Sequence, residues 1–346
     1  MTWMRAAVLP LAALIGGTVW VALGHTETTS PSIKSVLLMI QGPSALDTFR
    51  RPLGLAADST RNVLVVADTG NHRLVMLDAT GRSRGSLSYI TDETRGRLCE
   101  PRGVALDARG RFFVVDALGS DIEVLTSTGS RLALITPALP PGVESRPQCV
   151  ALGRSGRLYL ACAGKRPGLA VIERNGSLVM RVGFAPADSS DLRGPVSVAV
   201  NADESEIALV DPEGDNSVHI YKEDGTKLVA FGKHGQGEGT FSMAAHATWG
   251  PDGTLWITDT MRHSISVFDR RGRYLGTIGG FGRAPGQFNY PVACAFLSRD
   301  RLAILERAGA RLQVLEIEVG QVLESQSESQ TNGSGSTGTT ANYVVR

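Results

Sequence analysis

Residues 49–82 read FRRPLGLAADSTRNVLVVADTGNHRLVMLDATGR. Runs that suit strands alternate here with runs that can only turn. After Pro52 comes GLAAD, small and apolar, and then the polar STRN. VLVVAD follows, rich in β-branched residues. The polar TGNH leads into RLVMLD, and ATGR closes the unit with a glycine. Nothing here recurs at the helical period, so the unit is read as all β.

The unit is repeated. LCEPRGVALDARGRFFVVDALGSDIEVLTSTGS starts at Leu98, ESRPQCVALGRSGRLYLACAG at Glu144 and LRGPVSVAVNADESEIALVDPEG at Leu192. FSMAAHATWGPDGTLWITDTMRHSISVFDRRGR starts at Phe241 and FNYPVACAFLSRDRLAILERAGARLQVLEIE at Phe288. The starts are separated by 49, 46, 48, 49 and 47 residues. A last strand such as KLVAFG or YLGTIG completes a copy, which makes four strands joined by hairpin turns. Four-stranded units of about 45 residues are propeller blades. Six copies therefore predict an all-β, six-bladed β-propeller over residues 33–318.

The copies resemble NHL repeats. The first holds DTGNHRL, Asp68–Leu74, preceded by Pro52, Gly54 and Ala56; the fifth holds DTMRHSISVFD. Copies two and four keep Asp116 and Asp211 without the Asn-His pair, copy three has Cys162 instead, and copy six has Glu306. The resemblance implies the six-bladed fold and by itself no activity. The last copy ends at its third strand, and a propeller must seal its ring or leave an edge exposed. IKSVLLMI, Ile33–Ile40, is expected to supply the missing outer strand, with Gln321–Glu324 as the rival.

The two ends read differently. MTWMR is followed by AAVLPLAALIGGTVWVALG, residues 6–24, without a charge. This is a signal peptide or an uncleaved signal-anchor over residues 1–24, with a linker over 25–32. The rest is then expected to be exported, periplasmic or extracellular, and either secreted or tethered to the membrane through residues 6–24. At the other end, SQSESQTNGSGSTGTT, residues 325–340, has no apolar residue beyond glycine. Residues 319–346 are expected to be a low-complexity disordered tail. The net charge of +1 argues against a nucleic-acid partner.

Chain direction places the linker into each blade, the start of its first strand and its second turn at one end. That end gathers Arg51, His72, Arg73, Arg102, Gln148, His234, His246, Arg262 and His263, and is expected to be the binding face for a protein partner. Two residues after each blade's proline position stand Gly54, Gly103, Cys149, Ser197, His246 and Ala293; one residue after stand Leu53, Arg102, Gln148, Val196, Ala245 and Val292. Neither ring holds a carboxylate. The similar peptidyl-hydroxyglycine lyases hold zinc through histidines that directly follow the blade proline, and gluconolactonase-like propellers hold a divalent ion through carboxylates. Here His246 alone is available, two places on. No catalytic residue, metal or cofactor is therefore expected. A zinc- or calcium-dependent enzyme of either type is the alternative.

Three smaller readings complete the set. Asp68 and Asp259 are expected to cap backbone N–H groups, with His72 and His263 bracing the next strand. A hairpin turning on Ser155-Gly156 would oppose Cys149 and Cys162, as a disulfide or as two buried thiols. GKHGQGEGTF, residues 232–241, invites a phosphate-loop reading, but its Gly232, Gly235, Gly239 and Phe241 recur as Gly279, Gly282, Gly286 and Phe288. It is read as a seam between blades that presents His234 on the binding face.

Overall fold

A computed structural model describes residues 30–88, 100–117, 119–185 and 191–318. The expected leader, the expected tail, Cys99 and the rival closing segment Gln321–Glu324 lie outside them. Strand β1 (Ser32–Ile40) comes first in the chain. Blade 1 is β2 (Gly54–Asp58), β3 (Val63–Asp68), β4 (Arg73–Asp78) and β5 (Ser83–Ser88). Blade 2 is β6 (Pro101–Leu106), β7 (Phe112–Asp116), β8 (Ile122–Leu125) and β9 (Arg131–Ile135). Blade 3 is β10 (Ser145–Leu152), β11 (Leu158–Gly164), β12 (Gly168–Ile172) and β13 (Leu178–Gly183). Blade 4 is β14 (Ser197–Val200), β15 (Glu206–Val210), β16 (Val218–Lys222) and β17 (Lys227–Phe231). Blade 5 is β18 (Ala244–Trp249), β19 (Leu255–Asp259), β20 (Ser264–Phe268) and β21 (Tyr274–Gly279). Blade 6 holds β22 (Pro291–Phe296), β23 (Arg301–Glu306) and β24 (Arg311–Glu318), and β1 pairs with β24 as its fourth strand. The ring is thus sealed by the segment the sequence favoured, in a register running from Ser32 opposite Glu318 to Ile40 opposite Leu312.

The hydrophobic core is six slabs, each between two neighbouring blades. In β3, Val63, Val65 and Ala67 pack toward blade 2, while Leu64 and Val66 pack toward blade 6. Successive side chains of a strand point to opposite faces, and both faces of a blade are covered. This is why VLVVAD is apolar without alternation and buried throughout. Outer strands have solvent on one side, and β5 alternates accordingly.

The seams into blades 5 and 6 each carry a large apolar plug. Phe241 and Phe288 are buried, and each lies against the glycine that ends the preceding outer strand. A Cβ on Gly232 would stand 2.3 Å from the Phe241 ring, and one on Gly279 would stand 2.1 Å from the Phe288 ring. Both glycines also have positive φ, 79° and 85°. The seam is closed by the Gly235 N–H donating to the Phe241 carbonyl and the Phe241 N–H donating to the Lys233 carbonyl. GKHGQGEGTF is a seam, as its repeat implied.

The expected opposition of Cys149 and Cys162 does not occur. The hairpin closes one residue earlier, with Gly153 donating to the Arg157 carbonyl and Gly156 at φ 93°. Cys149 faces Ala161, Cys162 faces Pro147, and a bulge lies between these pairs. Both are free thiols. The one-residue shift turns the two side chains out of register.

Candidate functional site

The inner strands do not run straight into the centre. In blades 2, 3, 5 and 6 the register skips one residue at the same place: Arg102, Gln148, Ala245 and Val292 have no partner on the second strand. Leu53 and Val196 stand just outside the first strand of their blades, and their N–H groups donate to Ala67 and Val210. A bulge re-aims the unpaired side chain. These six residues line the mouth of a central cavity of about 450 Å³. Four are apolar. Arg102 and Gln148, on neighbouring blades, are polar.

Below the mouth, Ala56, Ala105, Ala151, Ala199 and Ala295 line the wall, and Leu106, Leu152, Trp249 and Phe296 narrow the far end. The residues two places after the proline turn toward the next blade. A Cβ on Gly54 would stand 2.3 Å from the Arg102 carbonyl oxygen, and one on Gly103 would stand 3.1 Å from the Cys149 Cα. Ser197 accepts a hydrogen bond from the Ala247 N–H at 3.3 Å. His246 Nδ1 accepts one from the Cys294 N–H at 3.5 Å. This ring is small because neighbouring inner strands touch across it, rather than because side chains collide on the axis.

His246 lines the cavity and is only partly exposed. Burial pulls its imidazole down to about 4, so the ring is neutral, with the proton on Nε2 because Nδ1 accepts. Burial likewise lowers the Arg102 guanidinium from its ordinary value and raises the Cys149 thiol. Among the described residues the lining includes Arg102 and Arg307 and no aspartate or glutamate.

The expected binding residues divide into two sets. Arg102, Gln148 and His246 come together around the cavity. Arg51 and His234 are exposed, outside the cavity lining, and His234 bridges to Phe241 within its seam. Arg73 is buried and already paired, with Nε 2.8 Å from Asp68 and Nη1 2.6 Å from Asp47. Arg262 is likewise engaged by its own seam, donating to the Gly235 and Gly237 carbonyls and the Thr240 hydroxyl. His72 and His263 occupy left-handed turn positions, at φ 54° and 58°. His263 Nδ1 accepts the Tyr290 N–H at 3.1 Å, and its ring lies between Phe281 and Tyr290 at 4.7 and 4.6 Å.

The turn carboxylates act as latches. Asp68 accepts the Arg50 N–H, Asp116 the Glu100 N–H, and Asp211 those of Arg193 and Gly194. Asp259 accepts four backbone N–H groups, and Glu306 accepts the Asn289 N–H. Each ties a second turn to the linker entering its own blade, as expected for Asp68 and Asp259. Sequence reasoning placed the turn holding Met261 on the face but missed Arg307 at the mouth and the exposed apolar side chains of Phe281 and Met243. Arg307 lies in a turn with little likeness to the others; the apolar three sit in segments read as linkers and turns.

The NHL repeat matches residues 49–75, and with the six observed blades the chain is an NHL-type propeller. No curated protein matches the sequence. The fold is similar to a gluconolactonase from Xanthomonas campestris, at 16% identity and TM-score 0.60, over 84% of this chain and 96% of that one. It is also similar to a calcium-binding protein, regucalcin, from Agrobacterium tumefaciens, at 13% identity and TM-score 0.59, over 85% and 97%. A chain in a nidogen/laminin complex is similar at 18% identity and TM-score 0.55, over 72% and 85%. At these identities the likenesses show the fold alone.

Proposed function

We propose that this NHL-type propeller is a non-catalytic binding module, exported and either secreted or tethered by residues 6–24, that holds a protein partner on its loop face. The observation that carries this reading is an apolar patch on that face. Phe281 is 70% exposed, Met261 49% and Met243 42%. The Thr260 N–H donates to the Met243 carbonyl, which sets the two methionine segments side by side, and the Phe281 ring packs tilted against His263. Exposed Lys233 and Arg283 stand in the seams on either side of blade 5. Aromatic residues, methionine and arginine are the types enriched at protein interfaces.

The gluconolactonase and calcium-binding likenesses raise the metal-dependent alternative, and the donor set does not fit it. A divalent ion of that kind needs several carboxylate oxygens. Among the described residues the cavity lining has none, and His246 is its one histidine. Among the described residues, no group of three His, Cys, Asp or Glu side chains is placed to hold a metal.

A photo-crosslinker at Arg283, used on intact membranes and the surrounding fluid, should capture a discrete partner. Phe281→Asp with Met261→Asp should abolish that adduct while the fold persists. An adduct pattern indifferent to the double substitution would sink the proposal. So would elemental analysis finding stoichiometric zinc or calcium that His246→Ala removes.

A further inference from the structure

The central cavity raises a question separate from the outer face. Buried arginines in this molecule are otherwise paired: Arg73 with Asp68, and Arg311 with Glu306 at 2.7 Å. Arg102 is partly buried at the cavity mouth, and among the described residues no hydrogen bond or ion pair reaches it. Leaving a guanidinium half-desolvated without a counter-charge is unfavourable. The bulge nevertheless aims it inward, beside the only other polar side chain of the ring.

We propose that the cavity binds a small organic acid, its carboxylate gripped by Arg102 and Gln148 and its apolar body lying along the alanine wall. The guanidinium fork matches the two oxygens of a carboxylate. The Gln148 amide now donates only to the Arg146 and Pro147 carbonyls, at 3.3 and 3.4 Å, both long contacts that a better acceptor would displace. A lining without a single carboxylate repels no anion. The wall offers a bare inorganic ion nothing beyond charge, but it matches a hydrocarbon body, and His246 Nε2–H supplies a further donor. The volume of about 450 Å³ lies in the range of small-molecule pockets.

The test needs no knowledge of the natural acid and no protein partner, so it stands or falls apart from docking on the outer face. Calorimetric titration of the purified full chain should detect 3-phenylpropionate. 3-Phenylpropan-1-ol and 3-phenylpropylamine should bind at least about tenfold more weakly. Arg102→Gln should weaken 3-phenylpropionate by about tenfold or more, and Gln148→Ala by about threefold, with unchanged melting. The free thiol of Cys149, partly exposed in the same lining, gives a second reading. An anionic methanethiosulfonate should modify Cys149 faster than its cationic analogue, 3-phenylpropionate should protect it, and Arg102→Gln should abolish the charge preference. Equal binding of acid and amine, undiminished binding by Arg102→Gln, or no binding of 3-phenylpropionate up to about 10 mM would each overturn the proposal.

Discussion

His246 and His219 show what single buried side chains impose on the molecule. His219 lies between the sheets of blades 3 and 4, its two ring nitrogens buried without a hydrogen-bond partner among the described residues. Burial lowers its pKa, and it pulls His246 down to about 4. A histidine with a depressed folded pKa binds its proton more readily in the unfolded chain. Its contribution to stability is therefore intact above about 6.5 and is lost as pH falls toward the folded value. Between pH 6.5 and 5.5 protonation linked to His246 should remove about 1 kcal/mol, and His219 acts in the same direction. Urea midpoints measured at pH 7.5, 6.5 and 5.5 should fall in that order, and less so in His246→Gln. A midpoint that is flat across that range would refute the assignment. At this scale sequence reading was weakest. Arg73 and Arg262 sit in the repeat where a binding residue would sit, but carboxylates and carbonyls already engage them, and among these Asp47, Gly235 and Gly237 lie 25 or more residues away in sequence.

The turn between the second and third strands is the element on which each blade hangs. Asp259 accepts N–H groups from Ser242 and Met243 in the linker and from Met261 and Arg262 in its own turn, at 2.7–3.1 Å. Removing the buried carboxylate leaves four partly buried donors without their acceptor, which costs about 3 kcal/mol. Chemical denaturation should show that loss for Asp259→Ala. The matched change in blade 3, Cys162→Ala, removes no such acceptor and should cost about 1 kcal/mol. Comparable losses for the two would mean that the latch contributes little. The aspartate and its role were legible, because Asp followed by a turn-forming run has a local meaning. The bulge one residue after the blade proline was not, since it is defined by pairing with another strand.

For the whole molecule, the decisive contact is the one that joins its beginning to its end. β1 covers the free edge of β24, and Leu38 and Ile40 pack against the slab between blades 6 and 1. A chain lacking residues 1–40 would expose that edge and open the ring. It should melt on the order of 10 °C lower and self-associate on size-exclusion chromatography. A synthetic peptide of residues 31–42 should restore the monomer by adding the missing strand. A truncated chain that stays monomeric with an unchanged midpoint would show that the seal is dispensable.

The sequence by itself determined the blade and the number of blades, and favoured the strand that closes them. Every repeat must bury both faces of its sheet, and that demand is written locally in apolar runs, glycine turns and a six-fold period. The tertiary structure alone decided which side chains are free to act. Arg73 and Arg262 are spent on neighbouring segments, Cys149 and Cys162 miss each other by one register step, and Arg102 is turned into a cavity that no carboxylate lines. The physical reason is common to all of these. Local pattern sets which face a residue takes, but strand pairing, bulges and contacts between blades set what stands opposite it.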